Sequence, residues 1–329
     1  MANVTIKMAC GPYDRTEPLR DKSVVPEGID LTYDAHQSPQ EIFMMMVTQD
    51  DYHLGELSCS YFMTQSSQEE VPFVALPVFP SRAFRHSYIF INKNAGITHP
   101  SDLKGKRIGV PVFSMTAAVW IRGFLQEDYG VYSEDVSWFE GGLNQPRRPH
   151  ILDGVHPKGK KIVIDAISNE STLSDALENG ELDAIIGADN PLSFHKGTNV
   201  ERLFPNYREV ERDYFKRTGI FPIMHTVAMR KALHQEQSWI AESMFHSLVS
   251  AKEKVLGQQL HYKGALKTML PWQLEAIEEI DTLFPDGDPW PYGLERNRNT
   301  LDALQRHLLD QGLMAKPMAL DDLFLQLNT

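Results

Sequence analysis

The chain has 329 residues and a formal net charge of -12, with 44 Asp and Glu against 32 Lys and Arg. That length exceeds the usual size of one hydrophobic core, so two domains are expected. The acidity excludes nucleic acid as the expected partner, because phosphate binding rests on clustered Lys and Arg, yet a local arginine cluster can still hold a small anion. No apolar run approaches the ~20 residues of a membrane span, so no membrane role is expected.

Val4, Ile6, Met8 and Cys10 alternate with Thr5, Lys7 and Ala9, the period of a half-buried strand. No basic segment followed by a long apolar run precedes it, which reads as a cytoplasmic start. GPYDR follows and sets Asp14 and Arg15 just past the carboxyl end of the strand, where open α/β sheets bind ligands. A second alternation at Ile29, Leu31 and Tyr33 and a helix over SPQEIFMMMVTQ complete a β-loop-β-α unit. DYHLGELSCSYFM reads as a strand entering a helix or tight loop, with Glu56, Ser58, Ser60 and Tyr61 at the junction. Hydroxyls there suit a carboxylate or a helix cap. Cys10 and Cys59 lack metal-site spacing and are expected as buried free thiols.

Charge concentrates next. Leu76 to Asn92, LPVFPSRAFRHSYIFIN, places Ser81, Arg82, Arg85 and His86 between two apolar runs. The planar arginine forks suit carboxylates and a histidine exchanges protons near neutral pH, which suggests a site for an anionic organic acid. The alternative is two arginines pairing with nearby acids. A strand RIGVPV then leads into a helix starting near Ser114 to Thr116 and stopping at Gly130. Its free N–H groups, with Ser114 and Thr116 beside them, make an anion site or an unoccupied cap. Gly141 to Lys161, rich in Gly, Pro, Arg and His, suggests a mobile surface segment or a contact with another subunit, leaving a homo-oligomer open.

KKIVIDAI reads as a strand, and STLSDALENGELDAIIG as a helix from about Thr172 to Glu178 and a strand. This alternation argues for parallel sheets. Val200 to Arg217 suits a helix crossing between lobes, and IMHTVAMR a strand with His225 near its start. A helix ending at Gly257 and one carrying Leu301, Leu304 and Leu308 close the chain. The DGDPWPYGLERNR between them, with Trp290 and Tyr292, suits a packed loop or a pocket cover. Common nucleotide, metalloprotease and hydrolase motifs are absent.

SDLKGKRIGVP, followed by a helix and later by LENGELDAIIG, resembles the type II periplasmic solute-binding fold. The resemblance implies an α/β, two-lobed architecture with a central ligand cleft. Residues 1–86 and 225–329 would form a discontinuous first lobe with a helical C-terminal part, and 87–224 a second α/β lobe including the crossover. ACGPYDRT, VFPSRAFRHS, KGKRIGVPVFSMTAAVWIRG, RTGIFPIMHTV and DPWPYGLERNRNTL together resemble the 4,5-dihydroxyphthalate decarboxylase family. One departure is Gly187–Ala188 after LDAII, where the resemblance implies Pro-Arg.

That resemblance implies decarboxylation of 4,5-dihydroxyphthalate, or a close hydroxylated aromatic acid, to protocatechuate in phthalate breakdown. The competing expectation is a non-catalytic solute-binding protein for an aromatic carboxylate. Each carboxylate of this small dicarboxylate lies para to a hydroxyl, so phenol ionisation favours ring protonation before carbon dioxide leaves. No organic cofactor is required, and no local ligand spacing supports a metal. On this chemistry Arg82 and Arg85 bind carboxylate, His86 donates the proton, and His225 or Asp14 serves the phenol. Ser81, Arg15, Ser58, Ser114 and Thr116 join them as substrate contacts.

Overall fold

The computed structural model describes residues 3–68, 71–260, 269–284 and 286–327. Strands β1 (Val4–Cys10), β2 (Ile29–Ala35), β3 (Leu54–Ser58) and β4 (Phe73–Arg82) open the chain. Next come β5 (Ile89–Asn92), β6 (Arg107–Val110), β7 (Ser137–Glu140), β8 (Ile164–Ala166), β9 (Ala184–Ile186) and β10 (Val200–Arg202), and last β11 (Ile223–Arg230). They form a five-stranded sheet of order β2-β1-β3-β11-β4 and a six-stranded sheet of order β10-β5-β9-β6-β7-β8.

The expectation of parallel sheets needs correction, because both are mixed. β11 runs antiparallel to β3 and β4, and β5 antiparallel to β9 and β10. The chain leaves the first sheet after β4 and returns through β11, so crossing segments enter each sheet against the βαβ direction. The expected strand KKIVIDAI shrinks to β8, and the helix expected to stop at Gly257 runs from Trp239 to Leu260. The remaining expected helices appear as Pro39–Thr48, Thr116–Tyr129, Leu173–Glu178, Tyr207–Thr218 and Arg298–Asp310.

One buried cluster joins the lobes. Phe62 and Phe79 beside the first sheet share it with Trp120 and Trp138 beside the second, and with Leu301, Leu304 and Leu308 of the last long helix. That helix packs on both Cys59–Gln68 and Thr116–Tyr129. Just beyond it, the Gln311 side chain accepts from Arg122 Nε (2.9 Å) and donates to the Val119 carbonyl (2.9 Å). Its His307 ring lies so close to Gly123 that a Cβ there would stand 2.5 Å from ring carbons, so only glycine permits this approach. A second cluster lies between the first sheet and helix Trp239–Leu260. Cys10 and Cys59 are buried, unbridged thiols.

Candidate active site

Every residue of β3 is buried, including Glu56 at 0% exposure. A carboxylate in that position is costly unless paired and hydrogen-bonded. Its Oε1 accepts from Tyr13 Oη (2.6 Å) and lies 2.5 Å from His225 Nδ1, while Oε2 accepts from the Gly11 amide (3.0 Å). The partners come from the β1 exit and the β11 entrance, which flank β3 in the sheet. Burial opposes the charge, but His225, Tyr13 and the Gly11 amide outweigh it and hold the carboxyl below its ordinary range. Burial first, then Glu56, pushes the Tyr13 phenol far upward, so it stays a donor.

The carboxylate also fixes the histidine tautomer. With Nδ1 carrying hydrogen toward Glu56, Nε2 is the nitrogen free for proton exchange, and it has no partner among the described residues. Phe43 of helix Pro39–Thr48 meets the ring edge-on, with centroids 4.9 Å apart. His225 was expected from the sequence; Tyr13 was not, and Glu56 was noted only as part of a strand junction. A single acid inside the apolar run of β3 was the available signal, since a buried charge implies a partner.

Beside this pair the lobes meet through hydroxyls. Ser58 Oγ lies 3.1 Å from Ser60 Oγ and 3.0 Å from Thr116 Oγ1, Thr116 accepts from the Ser60 amide (3.1 Å), and Ser60 Oγ donates to the Ser114 carbonyl (2.8 Å). Ser114 Oγ is buried without a hydrogen-bond partner among the described residues. Ser58, Ser114 and Thr116 are thus gathered where two helices begin. Ser81 lies opposite His225 in the β4–β11 ladder.

Other expected contacts are directed elsewhere. Arg82 donates to the Phe221 carbonyl (3.2 Å), the Pro291 carbonyl (2.8 Å) and Asn297 Oδ1, so its fork ties a lobe crossing to the C-terminal region rather than facing a carboxylate. Arg15 donates to the Pro80 carbonyl through Nε (2.8 Å) and lies 4.2 Å from the ring centroids of both Tyr13 and Trp290. Exposed Asp14 pairs with Arg15 (3.1 Å) and accepts from Gln259 (2.9 Å). His86 departs furthest from expectation. Stacked on Phe124 with centroids 4.0 Å apart, it meets Phe204 and Tyr214 edge-on, and neither ring nitrogen has a hydrogen-bond partner among the described residues. Burial, then Arg217, pushes its pKa down to about 4, so at neutral pH it is an uncharged ring in an aromatic cluster. Arg85 is intermediate: buried at the crossing, it donates to the Ala188 carbonyl (3.2 Å) and touches Met224 Sδ (3.3 Å), and burial lowers its pKa to about 10.

Between helix Pro39–Thr48 and the segment after β7 lies a cavity of about 820 Å³, bordered also by Met115 and Ala188. Another, of about 460 Å³, is lined by Arg15, Phe215, Phe284 and Trp290. Its Arg212 and Lys252 already pair with Glu279 and Asp288. The larger cavity is therefore the better receptacle for an anion, and the helix forming one of its walls also packs Phe43 against His225.

No protein-family model matches the chain. It is 34% identical over 325 residues to a 4,5-dihydroxyphthalate decarboxylase of Comamonas testosteroni, covering 98% of this chain and 97% of that protein. The chain belongs to the 4,5-dihydroxyphthalate decarboxylase family. A relative of the same name from Pseudomonas putida is 38% identical over 217 residues, covering 66% of this chain and 83% of that one. Among solved structures, the periplasmic aliphatic sulphonate binding protein SsuA from Escherichia coli superposes with a TM-score of 0.52 at 10% identity, covering 98% of each chain. The desulfurization enzyme DSZB does so with a TM-score of 0.50 at 13% identity, over 98% of this chain and 96% of that one. These likenesses establish the two-lobed periplasmic-binding-protein-like fold for this member of the decarboxylase family. The fold serves a binding protein and an enzyme alike, so the chemistry must be read from the site. No described helix is long and apolar enough to cross a membrane.

Proposed function

We propose that this protein decarboxylates 4,5-dihydroxyphthalate, or a closely related hydroxylated aromatic acid, to protocatechuate in phthalate breakdown. Family membership supplies the substrate class. The observation that carries the mechanism is the Glu56–His225 pair, a proton-exchanging ring fixed by a buried carboxylate at a lobe junction. Ionisation of the para hydroxyl pushes an electron pair toward the carboxyl-bearing carbon. Protonated His225 delivers its Nε2 proton to that carbon, the bond to the carboxylate breaks, and its electrons restore the aromatic ring as carbon dioxide leaves. The product phenolate takes back the proton lost on ionisation and the His225 imidazole recovers one from solvent, so the net uptake is one proton per carbon dioxide released.

In this reading Glu56 and Tyr13 orient His225, the Ser58–Thr116 hydroxyls meet substrate oxygens, and Arg85 supplies positive potential from behind the cleft. His86 and Arg82 act in packing, and Arg15 braces Tyr13. The two lobes comprise 1–86 with 225–329 and 87–224, with the last long helix spanning both. We place the protein in the cytoplasm, a proposal supported by its two unbridged thiols, which suit a reducing compartment. The test is carbon dioxide release from 4,5-dihydroxyphthalate by purified protein, with protocatechuate as the product. Tight binding without release would instead favour a solute-binding role.

A further inference from the structure

The segment rich in Gly, Pro, Arg and His that follows β7 has a defined shape. Gly142 permits its first turn, for a Cβ there would stand 1.8 Å from the Gln145 carbonyl oxygen. Arg147 then ties the segment down through Glu140 Oε2 (2.6 Å) and Asp153 Oδ1 (2.7 Å). Asn144 fastens its other side, donating to the Asn190 carbonyl (2.9 Å) and accepting from the Leu192 amide (2.7 Å). The next residue after Arg147, Arg148, is held differently. It is exposed, borders the cavity of about 820 Å³, and among the described residues makes one long hydrogen bond, from Nη2 to Gln145 Oε1 (3.3 Å).

The opposite wall of that cavity is helix Pro39–Thr48, whose Met44 and Met45, with Met115 from the second lobe, give an adaptable apolar surface for a ring face. Phe43 of the same helix meets the His225 ring edge-on, so one helix supplies a wall of the cavity and packs against the proposed proton donor. A phthalate carries two negative charges, whereas the forks of Arg82 and Arg15 are occupied by protein oxygens. Arg85 can answer one carboxylate at most. The geometry points to Arg148 as a carboxylate-recognition residue, presented by the anchored segment to the substrate carboxylate that remains on the ring.

This inference rests on the decarboxylation reading, but its binding arm can be tested apart from it. Carbon dioxide release and calorimetric affinity would be compared in wild type, Arg148→Gln and Arg148→Lys. Phthalate, protocatechuate and catechol serve as binding probes that carry two, one and no carboxylates. The expected result for Arg148→Gln is a KM for 4,5-dihydroxyphthalate raised on the order of tenfold or more with kcat changed less, the scale of a lost charge-assisted contact. Its affinity for phthalate and protocatechuate should fall similarly while catechol is unaffected. Lysine should recover part of the loss, since it keeps the charge without the planar fork. Thermal unfolding should match wild type because the one long hydrogen bond of Arg148, to Gln145, lies within the same exposed turn. A wild-type KM and unchanged phthalate affinity in Arg148→Gln would overturn the inference. Absence of turnover in wild type, with Arg148-dependent phthalate binding intact, would instead overturn the decarboxylation reading.

Discussion

Glu56→Gln tests the site at its least replaceable group. A carboxylate has two acceptor oxygens, and here Oε1 serves Tyr13 and His225 while Oε2 serves the Gly11 amide. Glutamine has one oxygen and one NH2. The Gly11 N–H is fixed by the backbone, so the amide oxygen takes the Oε2 place and the NH2 faces Tyr13 and His225. Tyr13 can turn its hydroxyl to accept, but His225 Nδ1 must lose its hydrogen, which moves to Nε2. A protonated ring would then oppose one N–H to another, and it would also lose an ion-pair partner. At a charge separation of roughly 4 Å and an effective dielectric of about 20, that attraction is about 4 kcal/mol. Converted to a rate this is on the order of a thousandfold in kcat. Single-turnover carbon dioxide release alongside calorimetric substrate affinity would separate chemistry from binding. We expect turnover to collapse while affinity changes only a few fold. A folded variant retaining more than about a tenth of wild-type turnover would refute the proton-donor assignment.

Arg82→Lys is expected to destabilise by about 3 kcal/mol, because an ammonium cannot reach the Phe221, Pro291 and Asn297 acceptors together, while KM stays near wild type; denaturant unfolding and steady-state kinetics check both halves. His86 stays neutral in the folded protein until the pH nears 4, whereas the unfolded chain takes up this proton near pH 6.5, so its contribution to stability is complete above about 6.5 and falls away toward 4. That window corresponds to about 3 kcal/mol for one histidine. His86→Phe should flatten the loss of stability across it and keep turnover, as followed by unfolding between pH 4 and 7. Gly123→Ala should cost about 2 kcal/mol or more through its collision with His307, visible as a lower melting temperature.

The fold was legible because its signals are local. Alternation marked β1 and β2, Gly130 marked the end of Thr116–Tyr129, and the Leu301, Leu304 and Leu308 stripe marked the buried face of the last long helix. Strand direction was not legible, since it depends on how the chain crosses between lobes. Within the site, His225 and the hydroxyls stood at strand ends, where period and turn signals place them. Arg82 and His86 carried the same local signal but point into the structure. Their partners, Pro291 and Asn297 for one and Phe124 and Tyr214 for the other, lie far along the chain, and no pattern around residues 81–86 announces them.

The same fold forms SsuA, a binding protein, and DSZB, an enzyme. Binding an anion requires donors that are preorganised yet free to turn to the ligand, and serines at helix starts supply them without a buried charge. A carboxylate at 0% exposure on a central strand adds nothing to such binding and carries a desolvation cost. It becomes intelligible when a neighbouring group must change its protonation state while holding its position. Glu56 faces such a group, shares one oxygen between it and Tyr13, and is braced by Gly11. Meanwhile the last long helix packs on elements of both lobes, keeping the hydroxyls of the second beside the histidine of the first. Accurate placement of that histidine is what ring protonation demands, because the proton must reach carbon rather than one of the nearby oxygens.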